Sequence, residues 1–597
     1  VLQAVQGRSY PIQGTYALSN LLQELELARR RGEERAALSA RWIFENPIDR
    51  ISRMIRTRFW DALTRRIDAS VDLARIVGDP KTLPGQEKYL YVPAGDPEAL
   101  SYFRQIARAR PELGLRVVAL PRRITPGYVR SLDGRHGLLS LALRRGESGK
   151  LEGVPYVVPG GRFNEMYGWD SYFEALGLVL DGRLDLAKAM VDNFVYQIRH
   201  YGKILNANRS YYLTRSQPPF LTSMILAVLG KLPEGAETDR WLRQSLLAAI
   251  REYKEVWTAR PRLTETGLSR YHGAGMGPCV EVEPGHYERV FRRYAEQAGR
   301  DRASFEQGYR SGELQSPELD RYFVHDRAMR ESGHDTTWRF DDRCADFVPV
   351  DLNALLYKYE IDIVRILDER FAGELTTADG ETQRSAAWRS RAEKRKRRIR
   401  ELLWDAKLGL FCDHDLKTGK ARLYYSPTML YPLWAADPER PWTRILAPPE
   451  ARRLVREVLE RLEMPGGLAA SAADSRGASS GRQWDWPNGW APHQILAWVG
   501  LARHGFDQDA ERLIYRWLYA IARNAADYNG TIPEKFDVVR RSHAVFSEYG
   551  NVGTKFRYIT EEGFGWMNAS FQLGLSMLGP ERLDLLRRLV PPESVFR

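Results

Sequence analysis

Residues 351–371 read DLNALLYKYEIDIVRILDERF, and this stretch decides the fold class. Its apolar side chains, among them Leu352, Leu355, Leu356, Ile361, Ile363, Val364, Ile366 and Leu367, are spread over much of the circumference of a 3.6-residue helix. A helix of that kind is buried among other helices; a surface helix would keep one broad polar side. Upstream, Phe173–Leu180, Leu184–Tyr201, Leu221–Leu229 and Trp241–Thr258 repeat the pattern, and Glu450–Leu462, His493–Arg503 and Gln508–Ala525 do so downstream. The spacing predicts an all-α array of helices in two layers, with loops between them. Periodicity alone does not fix how that array closes.

The first 70 residues are polar, Arg-rich and helical in pattern, as in Leu21–Ala28 and Ile51–Ile55. Between about 88 and 160 the chain turns less helical, and Tyr89–Pro93 and Arg116–Pro121 are short extended candidates bounded by Pro and Gly. No clean linker follows. Residues 1–150 are therefore expected to be a mixed, mainly helical N-terminal extension packed on one catalytic domain of residues 151–597.

The chain has 597 residues, 43% hydrophobic and 28% charged, with no long apolar run, which excludes a disordered chain and a helical membrane protein. Cys279, Cys344 and Cys412 are too few and too scattered for a disulfide framework, and a reducing, cytoplasmic compartment is expected. The net charge of +12 and the basic run Arg391–Arg400 raise a nucleic-acid reading. Ile399, Leu402, Leu403 and Trp404 give that run an apolar side, so it reads as the solvated face of a helix, with no nucleic-acid or membrane partner expected.

Two blocks carry chemistry. Pro159-Gly-Gly-Arg-Phe-Asn-Glu-Met-Tyr-Gly-Trp-Asp170 and Gln483-Trp-Asp-Trp-Pro-Asn-Gly-Trp-Ala-Pro492 each combine flat rings, an acid, and amide or guanidinium donors. A sugar needs that mixture: aromatic faces cover its C–H surface while polar groups take its hydroxyls. Hydrolysing a glycoside also needs two carboxyl groups across the scissile bond, one protonated and one ionised. With 77 acids in the chain, composition does not choose the pair.

The two blocks resemble the signatures of the trehalases of glycoside hydrolase family 37. Tyr10–Leu25 resembles the entry to the catalytic region of fungal neutral trehalases. Asn206–Tyr212, Arg215–Pro219, Glu331–Asp335 and Pro533–Asp537 extend the likeness over roughly residues 8 to 570. The resemblance implies an (α/α)6 toroid whose loops at one end form the pocket. It also implies an α,α-trehalase that splits trehalose into two glucose molecules by inversion, without a cofactor. By family position Asp335 matches the general acid and Glu534 the general base. Inversion places a water between base and anomeric carbon, so the two carboxyl groups are expected roughly 6.5–9.5 Å apart.

Matching positions place Arg162, Phe163, Tyr167, Trp169 and Asp170 around the first glucose, with Asn206, Arg215 and Gln217 as further hydroxyl-binding groups. Arg330 and Gly333 precede the acid. Trp484, Asp485 and Trp490 come from the second signature, and Glu548 matches another substrate-contacting acid. Where bacterial members have Arg-Pro-Glu, this chain reads Gly277-Pro-Cys-Val-Glu-Val-Glu-Pro-Gly-His-Tyr287, so the arginine is unmatched and either Glu281 or Glu283 is the pocket acid. Fungal relatives carry a calcium-binding acidic loop upstream. Nothing before Tyr10 holds it and no D-x-[DN]-x-[DN]-G pattern occurs elsewhere, so no metal is expected. The competing readings are another (α/α)6 glucoside hydrolase or phosphorylase, and a trehalose-binding sensor without activity. The oligomeric state is open.

Overall fold

A computed structural model describes residues 2–3, 7–12, 14–70, 72–77, 87–282, 285–377, 380–475, 481–528, 530–545 and 562–596. Glu283 and Glu548 lie outside the described residues. After a helix at Gly14–Arg30, a helical segment, α1, starts at Pro47–Met54 and runs through a π turn (Ile55–Phe59) into Trp60–Leu63. Asn46 caps it by accepting from the Asp49 N–H, and Pro47 supplies the pre-set φ of a first helical position. A small parallel sheet follows, with β1 (Lys88–Val92) between β2 (Leu115–Ala119) and β3 (Leu138–Leu139), and helix α2 (Pro97–Ala109) crossing from β1 to β2. Both extended segments expected from sequence are strands.

The rest is mainly helical, with short two- and three-stranded sheets between the helices. In chain order come α3 (Asp170–Leu180), α4 (Leu184–Tyr201), α5 (Leu221–Leu229), α6 (Ala236–Glu252), α7 (Pro317–Glu331), α8 (Val350–Arg370) and α9 (Ser385–Leu402). They are followed by α10 (Tyr431–Ala435), α11 (Pro448–Leu462), α12 (Ala491–Arg503), α13 (Asp507–Asp527) and α14 (Gly565–Met577). Helices α3, α5, α8, α10, α12 and α14 pack each on the next, and α14 closes the ring against α3. Helices α4, α6, α9, α11 and α13 alternate with them along the chain. This is the (α/α)6 toroid, and α8, the stretch read first, has its apolar residues buried on every side.

The periodic reading missed α14, the helix that closes the ring. Its sequence GWMNASFQLGLSM mixes small and polar residues with apolar ones, yet Gly565–Gln572 is buried throughout. The outer position over α3 and α14 is taken by α1, from the first 70 residues. Trp60 Nε1 donates to Asp181 Oδ2 at 2.7 Å, and the α14 residue Gln572 bonds both Asp181 and the Ser52 carbonyl. Gly177 lets the three helices converge: a Cβ there would lie 2.7 Å from the Trp60 ring and 2.8 Å from the Ala569 Cα. The basic run sits on α9, whose Trp388, Ala392, Arg395 and Ile399 face inward while Arg391, Lys394 and Arg397 are exposed. Buried Arg395 is paired with Glu360 of α8 at 2.8 Å.

Candidate active site

The segment after α7 carries Asp335. Gly333 has φ +75°, and a Cβ there would stand 2.7 Å from the Trp169 ring, so only glycine makes this turn against the indole. The turn brings Asp335 out of the helix with its side chain one-third exposed (33%). Arg330, at the end of α7 and 1% exposed, points Nη1 at Asp335 Oδ2 over 3.8 Å. Its other nitrogens are held from behind: Nε bonds Asp326 Oδ2 at 3.0 Å, and Nη2 lies 3.0 Å from His286 Nε2.

Glu534 comes from the loop after α13, where the Trp566 indole donates to its carbonyl at 2.9 Å. Its Oε2 lies 3.3 Å from Lys535 Nζ. That ammonium is wholly buried and rests over the Trp490 ring, 4.7 Å from the centroid. Asp170, in the first turn of α3, links the two carboxylates. Burial pushes its carboxyl well above the usual range, and the charges of Glu534 and Asp335 push it further. Asp170 therefore stands near both carboxyl groups and favours its own neutral form. Glu174, one turn further along α3, is likewise raised by burial and by Asp170.

A second group of charges forms the neighbouring wall. Arg215 bonds Asn206 Oδ1 through Nε (2.9 Å) and Nη2 (2.6 Å), and Nη2 also reaches Glu281 Oε1 at 2.5 Å. Burial opposes ionisation of Glu281, but Arg215 and Arg330 override it and hold the carboxyl at about 2. Glu281 is thus bonded to Arg215 and further favoured as a carboxylate by the charge of Arg330, from α7.

Rings from both blocks form one aromatic wall. Trp484 and Trp490 stack at 3.9 Å and 4°, Trp169 lies 5.4 Å from Trp484, and Trp566 sits edge-on to Trp169, Trp484 and Trp490. Phe163 and Tyr167 pack edge to face at 5.5 Å, and the Arg162 guanidinium lies 4.4 Å over Phe163. Gln217 Oε1 accepts from the Trp169 N–H at 3.0 Å, so this amide positions the block. Asp485, 1% exposed, accepts from Thr337 Oγ1 (2.7 Å), the Trp338 N–H (2.9 Å) and the Tyr424 hydroxyl (2.7 Å). Its carboxylate holds the segment that follows Asp335.

The structure thus gathers Asp170, Arg215, Glu281, Arg330, Asp335, Trp484, Trp490 and Glu534 from segments up to 364 residues apart. Sequence reasoning missed Asp326, His286, Gln483 and Lys535, which act by bonding to the residues it named or to their neighbours; Trp566, beside a motif, stacks on the aromatic wall. Lys535 and Gln483 sit inside quoted motifs; His286 had no signal beyond its nearness to the unmatched loop. Among the described residues no group of three or more His, Cys, Asp or Glu could hold a metal ion, and no helix is long and apolar enough to cross a membrane.

A family model described as Trehalase matches residues 38–579. The chain is 46% identical over 608 residues to the cytosolic neutral trehalase of Emericella nidulans, covering 98% of this chain and 80% of that one. It is 45% identical over 606 residues to the cytosolic neutral trehalase of Saccharomyces cerevisiae, covering 98% and 79%. The solved structure of neutral trehalase Nth1 from Saccharomyces cerevisiae superposes with a TM-score of 0.84 at 44% identity, over 92% of this chain and 98% of that one.

Proposed function

The chain belongs to the trehalase family, and on that premise we propose that Asp335 and Glu534 are the acid and base of an inverting hydrolysis of α,α-trehalose. The enzyme is a glycoside hydrolase whose substrate is trehalose and whose product is glucose. Relatives named as cytosolic enzymes support a cytoplasmic location.

One observation supports the pairing of these two residues. Gln483 bonds the Asp335 carbonyl and Lys535 Nζ, and that ammonium lies 3.3 Å from the Glu534 carboxylate, so loops from opposite parts of the ring bring the two carboxyls to one place. A disaccharide between them meets one carboxyl from each side and the indole wall beneath. Asp335 gives its proton to the bridging oxygen as one glucose departs. Glu534 takes a proton from water, and that water attacks the anomeric carbon of the other ring from the opposite face. Neutral Asp170 donates its O–H to a sugar hydroxyl without adding a negative charge beside Glu534. Arg215 and Arg330, compensated by Glu281 and Asp326, offer fixed forks to neighbouring hydroxyls.

Attack on one ring with departure of the other yields one β-glucose and one α-glucose. Proton NMR in the first minutes, before mutarotation, is expected to show the anomers in equal amounts. A purely α initial product would replace this reading with double displacement through Glu534 as nucleophile.

A further inference from the structure

Gln483 opens the second aromatic block, yet its amide touches no ring. It is 4% exposed, and its Nε2 donates to the carbonyl of Asp335 at 2.5 Å while its Oε1 accepts from Lys535 Nζ at 3.0 Å. The orientation is unambiguous, because an ammonium only donates and must face the amide oxygen. The backbone of the same residue is pinned too: its carbonyl accepts from Trp490 Nε1 at 2.9 Å and Asn488 Nδ2 at 3.0 Å. Next to it, the Trp484 N–H donates to the Thr336 carbonyl at 3.0 Å. One side chain therefore bonds the residue that carries one carboxyl and the neighbour of the residue that carries the other.

We infer that Gln483 and Lys535 form a strut that fixes the Asp335 loop against the Glu534 loop, and so sets the gap in which the attacking water stands. The inference rests on the acid and base roles proposed above. Packing alone does not call for this pair, since buried charged groups together with their partners are often replaced by apolar residues of similar volume at no net cost in stability. The ammonium has three described neighbours: the Gln483 oxygen, the Glu534 carboxylate and the face of Trp490. Inversion depends on a fixed distance between two groups on separate loops, and displacement by about 1 Å costs on the order of 100-fold in rate. Both are positioning residues; neither is placed against the reacting atoms.

Two near-isosteric variants test this. Gln483→Glu keeps length and volume but turns a carboxylate oxygen toward the Asp335 carbonyl. Lys535→Met keeps the stem over Trp490 and removes the donor. Each is expected to keep KM within about threefold while kcat falls roughly 30- to 100-fold. The double variant is expected to lose no more than the worse single one, because a strut cut at one end no longer acts. A cooperative melt for each protein confirms folding, and if one variant does not fold, Gln483→Leu or Lys535→Leu takes its place. A folded single variant with kcat within threefold of the parent, or single losses that multiply in the double, would overturn the strut. Asp335→Asn and Glu534→Gln are measured alongside. If those two keep activity, it is the acid–base reading that fails. The strut itself is then judged on whether the Asp335 carbonyl has moved from Lys535 in a crystal structure of Gln483→Glu.

Discussion

Arg330 serves two carboxylates with opposite ends of one guanidinium: Nη1 stands 3.8 Å from Asp335 Oδ2, while Nε lies 3.0 Å from Asp326 Oδ2. The remaining nitrogen, Nη2, faces His286 Nε2 at 3.0 Å. A guanidinium has no acceptor, so His286 accepts through Nε2 and is a neutral imidazole. Burial first, and then the positive charge of Arg330, push its pKa down to about 4. The ring therefore stays an acceptor at ordinary pH and helps Asp326, whose Oδ1 lies 3.4 Å from the same Nη2, to hold the fork.

Removing that acceptor has a defined consequence. His286→Leu is expected to lower kcat roughly tenfold, because Arg330 can then rotate away from Asp335. His286→Gln, which keeps an acceptor at similar reach, is expected to stay within about threefold. In an Arg330→Lys background the leucine variant should cost little more, since the group it orients is gone. Equal losses in both backgrounds would assign His286 to folding of its loop.

The two proposed catalytic carboxyls are tested directly by Asp335→Asn and Glu534→Gln. Each keeps the shape of the site and removes proton transfer, so each is expected to fold normally and lose about 100-fold or more in kcat on trehalose. Glucose release at saturating substrate is the measurement. A variant with near-parental turnover would show that the role belongs to another residue.

Gly333 is predicted to be intolerant of a single methyl group. Alanine there must adopt φ +75° and place its Cβ 2.7 Å from the Trp169 ring. The strained backbone and the overpacking together should destabilise the protein by about 2–4 kcal/mol. Activity should fall more than tenfold as Trp169 and the Asp335 loop shift. Unchanged melting and kinetics in Gly333→Ala would mean that the close approach has slack.

Acid stability is the fourth expectation. His334 and His493 face each other with their Nε2 atoms 3.1 Å apart, so one donates, the other accepts, and both are neutral. Burial, then the Arg339 charge, pushes His334 down to about 3, and burial also holds His493 well below its usual range. A depressed histidine pKa means that the unfolded chain takes up the proton first. This contribution is complete above the unfolded value of about 6.5 and is lost as pH falls from there toward the folded value, amounting for His334 to about 2 kcal/mol at pH 5. Asp170 and Glu174 work in the opposite sense, since their raised values favour the folded state at low pH. The clean test is therefore a comparison: His334→Asn should show a shallower fall in melting temperature between pH 6.5 and 5 than the parent. Parallel curves would show that His334 takes up its proton in the folded protein.

How much of this was legible in the chain differs by element. Helix α8 was readable because its apolar residues recur at helical spacing over 21 residues, and burial on all sides is a property of that pattern itself. Helix α14 was not, because Gly565, Asn568, Ser570 and Gly574 are there to fit closely packed neighbours, and a small residue chosen for fit leaves no hydrophobic period. Asp335, Glu534 and the two aromatic blocks could be singled out because their types and neighbours match a family motif, which is local information.

What only the tertiary structure decided is how distant segments meet. Whether Asp170 is charged depends first on its burial within the ring and then on Glu534, 364 residues away. Arg330 is held toward Asp335 by Asp326 and also by His286, from a loop in which the sequence showed only a missing arginine. Sequence determined the helices, the chemical kinds of group and the candidate pair, because periodicity and motifs are short-range along the chain. Closure of the ring by α14 and α1, the protonation state of the buried acids and the gap between the two loops depend on distances through space, which the order of residues along the chain does not contain.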